Sequence, residues 1–122
     1  MKSSQNAESF QKKPIKERKS ESNHIMTKYP EKIPILVFKS KASRDIPDLD
    51  KNKFLVSKDL TAGQFIYILR KRIKLDSAKA IFVFTEKGTL PVTHNPVSML
   101  YESHKNEDGF LYMYYSSENT FG

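Results

Sequence analysis

The sequence predicts an α+β fold: a four-stranded mixed sheet with a crossing helix, plus an N-terminal helical extension. Three observations carry this. Four short runs rich in branched or aromatic residues, at 33–38, 54–56, 80–84 and 110–115, have the composition of strands. The stretch 61–73 has helical periodicity and its own start signal. The first 26 residues are charged and poor in apolar side chains, so they must lie on something else to be ordered.

Taken in order, residues 1–9 offer too little apolar surface to offset the entropy of ordering them, and a loose start is expected. Helical signal begins near Phe10, and a turn precedes Pro14. A helix then runs from Pro14, at its first position, to Met26, with Ile15 and Ile25 as its few apolar positions. Tyr29-Pro30-Glu31 reads as a turn. The first strand follows, with Pro34 tolerable near its beginning. A charged loop containing Pro47 leads to a second strand over 52–57, and the two strands form a hairpin.

Thr61 and Gln64 make a capping box, and Leu60 ahead of them can staple to Phe65. Phe65, Ile68, Leu69 and Ile73 share the buried face of that helix. Arg70, Lys71, Arg72 and Lys74 crowd its last turn, where positive charge complements the helix dipole. Residues 80–84 are apolar on both faces, which predicts a covered strand. Asn95 is expected to cap a short helix with Pro96 at its first position and Val97, Leu100, Tyr101 and His104 on one face. Asp108-Gly109 closes it and opens the final strand. A hairpin, a crossing helix and a last strand inserted centrally is the ubiquitin-like β-grasp arrangement. The expected divisions are a helical extension over 1–26, a β-grasp domain over 27–116 and a free tail over 117–122.

Composition narrows the function. A chain of 122 residues without cysteine has one core, no disulfide framework, no thiol nucleophile and no thiolate zinc site, which suits the cytoplasm. Its longest apolar run, 35–38, is far short of a membrane span. His24, His94 and His104 lack metal-ligand spacing, the four glycines make no phosphate loop, and no serine sits in a nucleophile elbow. No enzyme, cofactor or metal is expected. Of the net charge of +7, residues 1–53 carry 13 Lys or Arg against 7 Asp or Glu, while the last 69 residues hold 8 against 7. That polarity suits docking to acidic partners at one face. Aromatic residues are not interleaved with the basic ones as a nucleic-acid stacking platform would need.

Six blocks carry a likeness: Lys28-Tyr29-Pro30, Ile33-Pro34-Ile35-Leu36, Asp48-Leu49-Asp50-Lys51-Asn52-Lys53-Phe54-Leu55-Val56, Asp59-Leu60-Thr61-Ala62-Gly63-Gln64-Phe65, Leu69-Arg70-Lys71-Arg72-Ile73 and Asp108-Gly109-Phe110-Leu111-Tyr112. Over about residues 15–122 the chain resembles the autophagy-related ubiquitin-like modifiers, the family of the GABA-receptor-associated protein. The resemblance implies a tag whose terminal glycine, here Gly122, is adenylated, carried as a thioester by E1-like activating and E2-like conjugating enzymes, and joined to phosphatidylethanolamine. The implied location is the cytoplasm, and the autophagosome membrane by lipid anchor alone once conjugated. A cysteine protease trims most members and deconjugates them. Nothing follows Gly122 here, which implies either a form needing no first cleavage or a processed product.

The resemblance also implies capture of cargo receptors through short peptides carrying an aromatic residue and, three positions on, an aliphatic one, added as a strand to the edge at 53–56. By the family pattern the aromatic pocket falls on Glu21, Ile25, Pro34, Leu36, Lys53, Leu55 and Phe110. The aliphatic pocket falls on Phe54, Val56, Leu60, Phe65 and Ile68. Lys51, Lys53 and Arg72 would meet acidic residues flanking such peptides, each exposed pair adding about 0.2–1 kcal/mol. Core packing would explain Leu60, Phe65 and Ile68 as well, and Lys53 also suits protection of a sheet edge. The chain departs from the common pattern by an extra residue near Asp45-Ile46 and by Ser57 where proline is frequent. A second reading is an unconjugated β-grasp adaptor that binds peptides or acidic surfaces such as tubulin through its basic half.

Overall fold

A computed structural model describes residues 6–41, 43, 45–76 and 79–117. Its elements run α1 (Ala7–Gln11), α2 (Ile15–Lys28), β1 (Lys32–Lys39), β2 (Lys53–Ser57), α3 (Ala62–Ile73), β3 (Phe82–Thr85), α4 (Val97–His104) and β4 (Leu111–Ser116). The strands form one sheet in the order β2-β1-β4-β3. Strand β1 is antiparallel to β2 and parallel to β4, and β3 is antiparallel to β4, so the sheet is mixed and the last strand lies inside it. This is the β-grasp order expected from the sequence. Pro34 has no N–H to give, and the parallel ladder with β4 begins one residue later, at Ile35 paired with Leu111.

Side-chain alternation gives the sheet two different faces. Ile33, Ile35 and Val37 of β1, with Leu111, Met113 and Tyr115 of β4, meet Phe65, Leu69 and Ile73 of α3 in the main core. Helix α3 is well specified locally. The Thr61 hydroxyl accepts from the Gln64 amide at 3.1 Å, and the Gln64 side chain accepts from the Thr61 amide at 2.9 Å, so both halves of the capping box are made. Two further amides of its first turn, Ala62 and Gly63, donate to the carbonyls of Asn95 and Thr93 at 2.9 and 2.8 Å. That tie uses Asn95 through its backbone. Pro96, and not Asn95, takes the N-cap of α4.

The opposite face carries a second cluster, Phe10, Leu36, Phe38, Phe110 and Tyr112, with Ile25 packed against it. Helices α1 and α2 cover it. Helix α1 starts at Ala7, inside the stretch whose composition predicts looseness. Its order has two sources: the Asn6 side chain caps the Ser9 amide at 2.7 Å, and Phe10, 1% exposed, stands edge-on to Phe110 with ring centroids 5.6 Å apart. Helix α2 begins one residue after Pro14, which serves as N-cap. Strand β3 is less covered than its apolar run suggests, because it is the second edge of the sheet: Val83 is buried in the core, but Phe82 stays partly exposed.

Helix α2 is fastened to the sheet by polar contacts. The Asp108 side chain is fully buried and accepts from Arg18 at 2.8 Å, from the Tyr112 hydroxyl at 2.6 Å and from the Phe110 amide at 2.9 Å. Ser22, one turn along α2 from Arg18, donates to the Asp108 carbonyl at 2.6 Å. Gly109 follows with φ +90°, and a Cβ there would collide with the Ser22 hydroxyl. Burial raises the Tyr112 hydroxyl pKa far above that of an ordinary tyrosine, and the hydrogen bond to Asp108 adds to this. Removing the carboxylate in Asp108→Ala strands both the guanidinium and the phenol; a loss of about 3–5 kcal/mol is expected in urea unfolding. The Asp108→Asn variant, which can still accept from one partner, should lose less.

Candidate functional site

Strand β2 is where the two faces of the sheet come to an edge. Its residues alternate in exposure: Lys53, Leu55 and Ser57 are exposed, Phe54 and Val56 buried. The register pairs Leu36 with Lys53 and Pro34 with Leu55 on the outer face, and Ile33 with Val56 and Ile35 with Phe54 on the inner one. Each residue expected at the aromatic pocket from the strands therefore lies on the outer face. Phe110 lies there as well, just before β4, and Glu21 and Ile25 approach from α2, both half-buried. Within this group Leu36 and Phe110 are each 1% exposed, whereas Leu55 is 40% exposed. The outer residues thus form a buried floor with an exposed lip.

Lys53 closes over that floor. Its ammonium pairs with the Glu21 carboxylate and stands 5.6 Å from the centre of the Phe10 ring. Lys13 reaches the same two partners, Glu21 at 3.8 Å and the Phe10 ring at 5.2 Å. Phe10 is a contributor that sequence reasoning did not assign. The signal available for it was a lone aromatic in a polar stretch, and only the packing on Phe110 and Tyr112 gives that signal meaning.

The residues expected at the aliphatic pocket lie on the other side of β2, against α3. Phe54, Val56 and Phe65 are members of the main core, with Phe54 edge-on to Phe65 at 5.8 Å. Leu60 is half-buried against them, and Ile68, expected on the buried face of α3, is instead 41% exposed beside the edge of that face, so Leu60 and Ile68 are the surface of this group. A cleft of about 640 Å³ continues from Leu60 and Ile68 along Gly63, Gln64 and Tyr67 to Thr93 and His94.

The three expected rim cations already have partners within the chain. Lys51 stands over the Phe54 ring at 4.9 Å, Lys53 holds Glu21, and Arg72 grips Asp50 with two hydrogen bonds of 2.8 and 3.1 Å. At Lys53 and Arg72, any acidic ligand would have to exchange with these carboxylates. Among the described residues there is no His, Cys, Asp or Glu cluster able to hold a metal, and no helix long and apolar enough to cross a membrane. Gly122 lies outside the described residues.

Against this geometry, the family described as "Autophagy protein Atg8 ubiquitin like" matches residues 17–122. The chain belongs to the Atg8 family. It is 60% identical to Autophagy-related protein 8a of Arabidopsis thaliana over 109 residues, which span 89% of this chain and 88% of that protein. It is 59% identical to Autophagy-related protein 8b of the same plant, and 56% identical to Autophagy-related protein 8B of Oryza sativa subsp. japonica over 108 residues, 88% of this chain and 89% of the relative. It is thus an autophagy-related ubiquitin-like protein, and its Atg8 match runs to Gly122 and takes in both faces of β2.

The Arg72–Asp50 pair gives this rim a measurable signature. Hydrogen bonding from the guanidinium holds the Asp50 carboxyl below the ordinary carboxylate range. With its folded value depressed, what the pair contributes is present above the unfolded value and lost as pH falls through the depressed one. Arg72→Gln should return the Asp50 midpoint to the ordinary carboxylate range. Carboxyl-detected NMR titration of the two proteins checks this.

Proposed function

We propose that this chain is a ubiquitin-like modifier, itself without catalytic activity, that is joined through Gly122 to phosphatidylethanolamine on autophagosomal membranes and gathers cargo receptors there. Glycine suits the conjugated end because, lacking a Cβ, its carboxylate can thread a narrow enzyme channel. The chemistry comes from partners. The Gly122 carboxylate attacks ATP and releases pyrophosphate; a thiolate of the activating enzyme displaces AMP; a second thiolate, of the conjugating enzyme, takes the acyl group by exchange. The lipid amine then displaces that thiolate, loses a proton and forms the amide. A cysteine protease reverses the last bond with water. On this reading the unconjugated protein is cytoplasmic and meets the membrane by its lipid anchor.

The observation that carries the receptor reading is the placement of β2. It is an edge strand, so a peptide can be added to it, and the two candidate pockets lie on opposite faces of that edge. Successive side chains of an added strand point to alternate faces, so two anchors reach opposite faces only at an odd spacing. An aromatic residue and an aliphatic one three positions on meet this requirement. The aromatic anchor would press on Leu55 and the Leu36–Phe110 floor after Lys53 moves aside. The aliphatic one would meet Leu60 and Ile68. Acidic residues ahead of the aromatic anchor would take Lys53 from Glu21 or Arg72 from Asp50.

The spacing argument predicts that peptides with anchors two or four positions apart bind about tenfold or more weaker than the three-position peptide, because one anchor then loses its pocket. Isothermal titration of the three peptides measures it, and equal affinities would remove the two-face account. Leu55→Ala should weaken the three-position peptide about tenfold at nearly unchanged stability, since that side chain is already 40% exposed. For conjugation, incubation with the cognate activating and conjugating enzymes, ATP and phosphatidylethanolamine liposomes should give a faster-migrating lipidated band. The same band from a chain lacking Gly122 would sink the assignment of that residue. Persistent failure of the full chain to form any band favours the unconjugated adaptor.

A further inference from the structure

The loop between β1 and β2 does more than join them. At the point where β4 ends, it makes a run of hydrogen bonds to the departing chain. The Ser40 amide donates to the Tyr115 carbonyl at 2.8 Å, and the Tyr115 hydroxyl donates to the Pro47 carbonyl at 2.9 Å. Ser43 and Ser116 share a hydroxyl hydrogen bond of 2.8 Å, with the two residues 4% and 3% exposed. The Ser43 hydroxyl also accepts from the Ser117 amide at 2.9 Å, and the Ser117 hydroxyl donates to the Asp45 carboxylate at 2.8 Å.

The last two contacts lie beyond the sheet. The ladder between β3 and β4 ends with Phe82 paired to Ser116, so nothing in the strand pairing requires Ser117 to be held. It is held nonetheless, at both its amide and its hydroxyl. The Asp45 carboxyl is kept below the ordinary carboxylate range, chiefly by that hydroxyl.

We propose that Ser43 and Asp45 form a clasp that fixes where the C-terminal segment leaves the domain, making them positioning residues for the conjugation of Gly122. This rests on the conjugation reading above. Gly122 is five positions past Ser117. At about 3.3–3.6 Å per residue, five residues span at most roughly 17 Å, so the position of Ser117 bounds where the Gly122 carboxylate can be presented. Releasing Ser117, which the strand ladder does not hold, removes the fixed point of departure and raises the ordering cost of threading Gly122 into an enzyme channel. The clasp acts on capture of the tail and leaves the chemistry to the enzymes. The peptide edge at β2 is on different residues, and its binding is the control.

The test is steady-state transfer of the chain through the cognate activating enzyme to excess conjugating enzyme, read as thioester on the latter, comparing wild type with a Ser43→Ala/Asp45→Ala double variant. Alongside it, amide hydrogen exchange is read at Ser117 and peptide affinity at β2. The double variant should show faster Ser117 exchange, KM raised about threefold to tenfold, the scale of one net hydrogen bond, kcat within about twofold, and unchanged peptide affinity. Asp45→Asn, whose amide oxygen still accepts from the Ser117 hydroxyl, should undo most of the rise in KM seen in Asp45→Ala. Wild-type KM in the double variant overturns the clasp, whether or not Ser117 exchange accelerates, and so does a fall in kcat alone. Absence of thioester from wild type itself overturns the conjugation reading and the clasp's role with it, an outcome distinct from equal activity of the two proteins.

Discussion

The buried carboxylate of Asp108 is the constraint on which the functional half of this fold depends. A carboxylate removed from water is tolerable only when its oxygens are fully engaged, and here a guanidinium, a phenol and a backbone amide engage them. The three donors belong to different parts of the chain: Arg18 to α2, Tyr112 to β4 and Phe110 to the turn before it. Satisfying the charge therefore sets the height and rotation of α2 on the sheet. Glu21 and Ile25 lie further along the same helix, and their approach to Lys53 and Leu36 follows. The close contact of Ser22 with Gly109 leaves little room for another placement.

A second consequence concerns the edge. Strand β2 is flanked by helices on both faces of the sheet, α1 and α2 outside and α3 inside, which is what would let one short strand serve the two candidate pockets. Most of the apolar residues there are also structural: Phe54, Val56 and Phe65 hold the core, and Leu36 and Phe110 hold the outer cluster. On the proposed reading, recognition would fall to the few side chains that packing does not consume, Leu55 and Ile68 among them. The cations occupy an intermediate position. Lys53 and Arg72 are engaged by Glu21 and Asp50 at an exposed rim, where such pairs contribute little to stability and exchange readily. The rim therefore suits steering and selectivity more than affinity.

Much of this was legible from local patterns. The capping box at Thr61 and Gln64, the periodic face of α3 and the branched runs of β1 and β2 are short-range signals, and each led to an element in place. The alternation of Lys53, Phe54, Leu55 and Val56 assigned side chains to faces before any fold was known. Local reasoning was weaker where long-range contacts decide. Phe10 stands among polar residues, and its burial depends on Phe110, a hundred positions away. Asn95 resembles a cap, but its carbonyl was wanted by α3, and Pro96 took the cap instead. The apolar run at 80–84 suggested a covered strand because hydrophobicity alone does not say whether a strand is central or marginal.

The sequence by itself determined the class of fold, the order of its elements, the absence of cysteine chemistry and, through six separated blocks, the family. These are properties of neighbours along the chain and of composition. The tertiary structure alone decided that the rim cations are already paired, that α1 supplies a buried ring beneath Lys53, and that the β1–β2 loop holds Ser117. Each joins residues far apart in sequence, and hydrogen bonds and ring contacts form only within a few ångströms. No periodicity records such a meeting, because it depends on how the intervening chain returns.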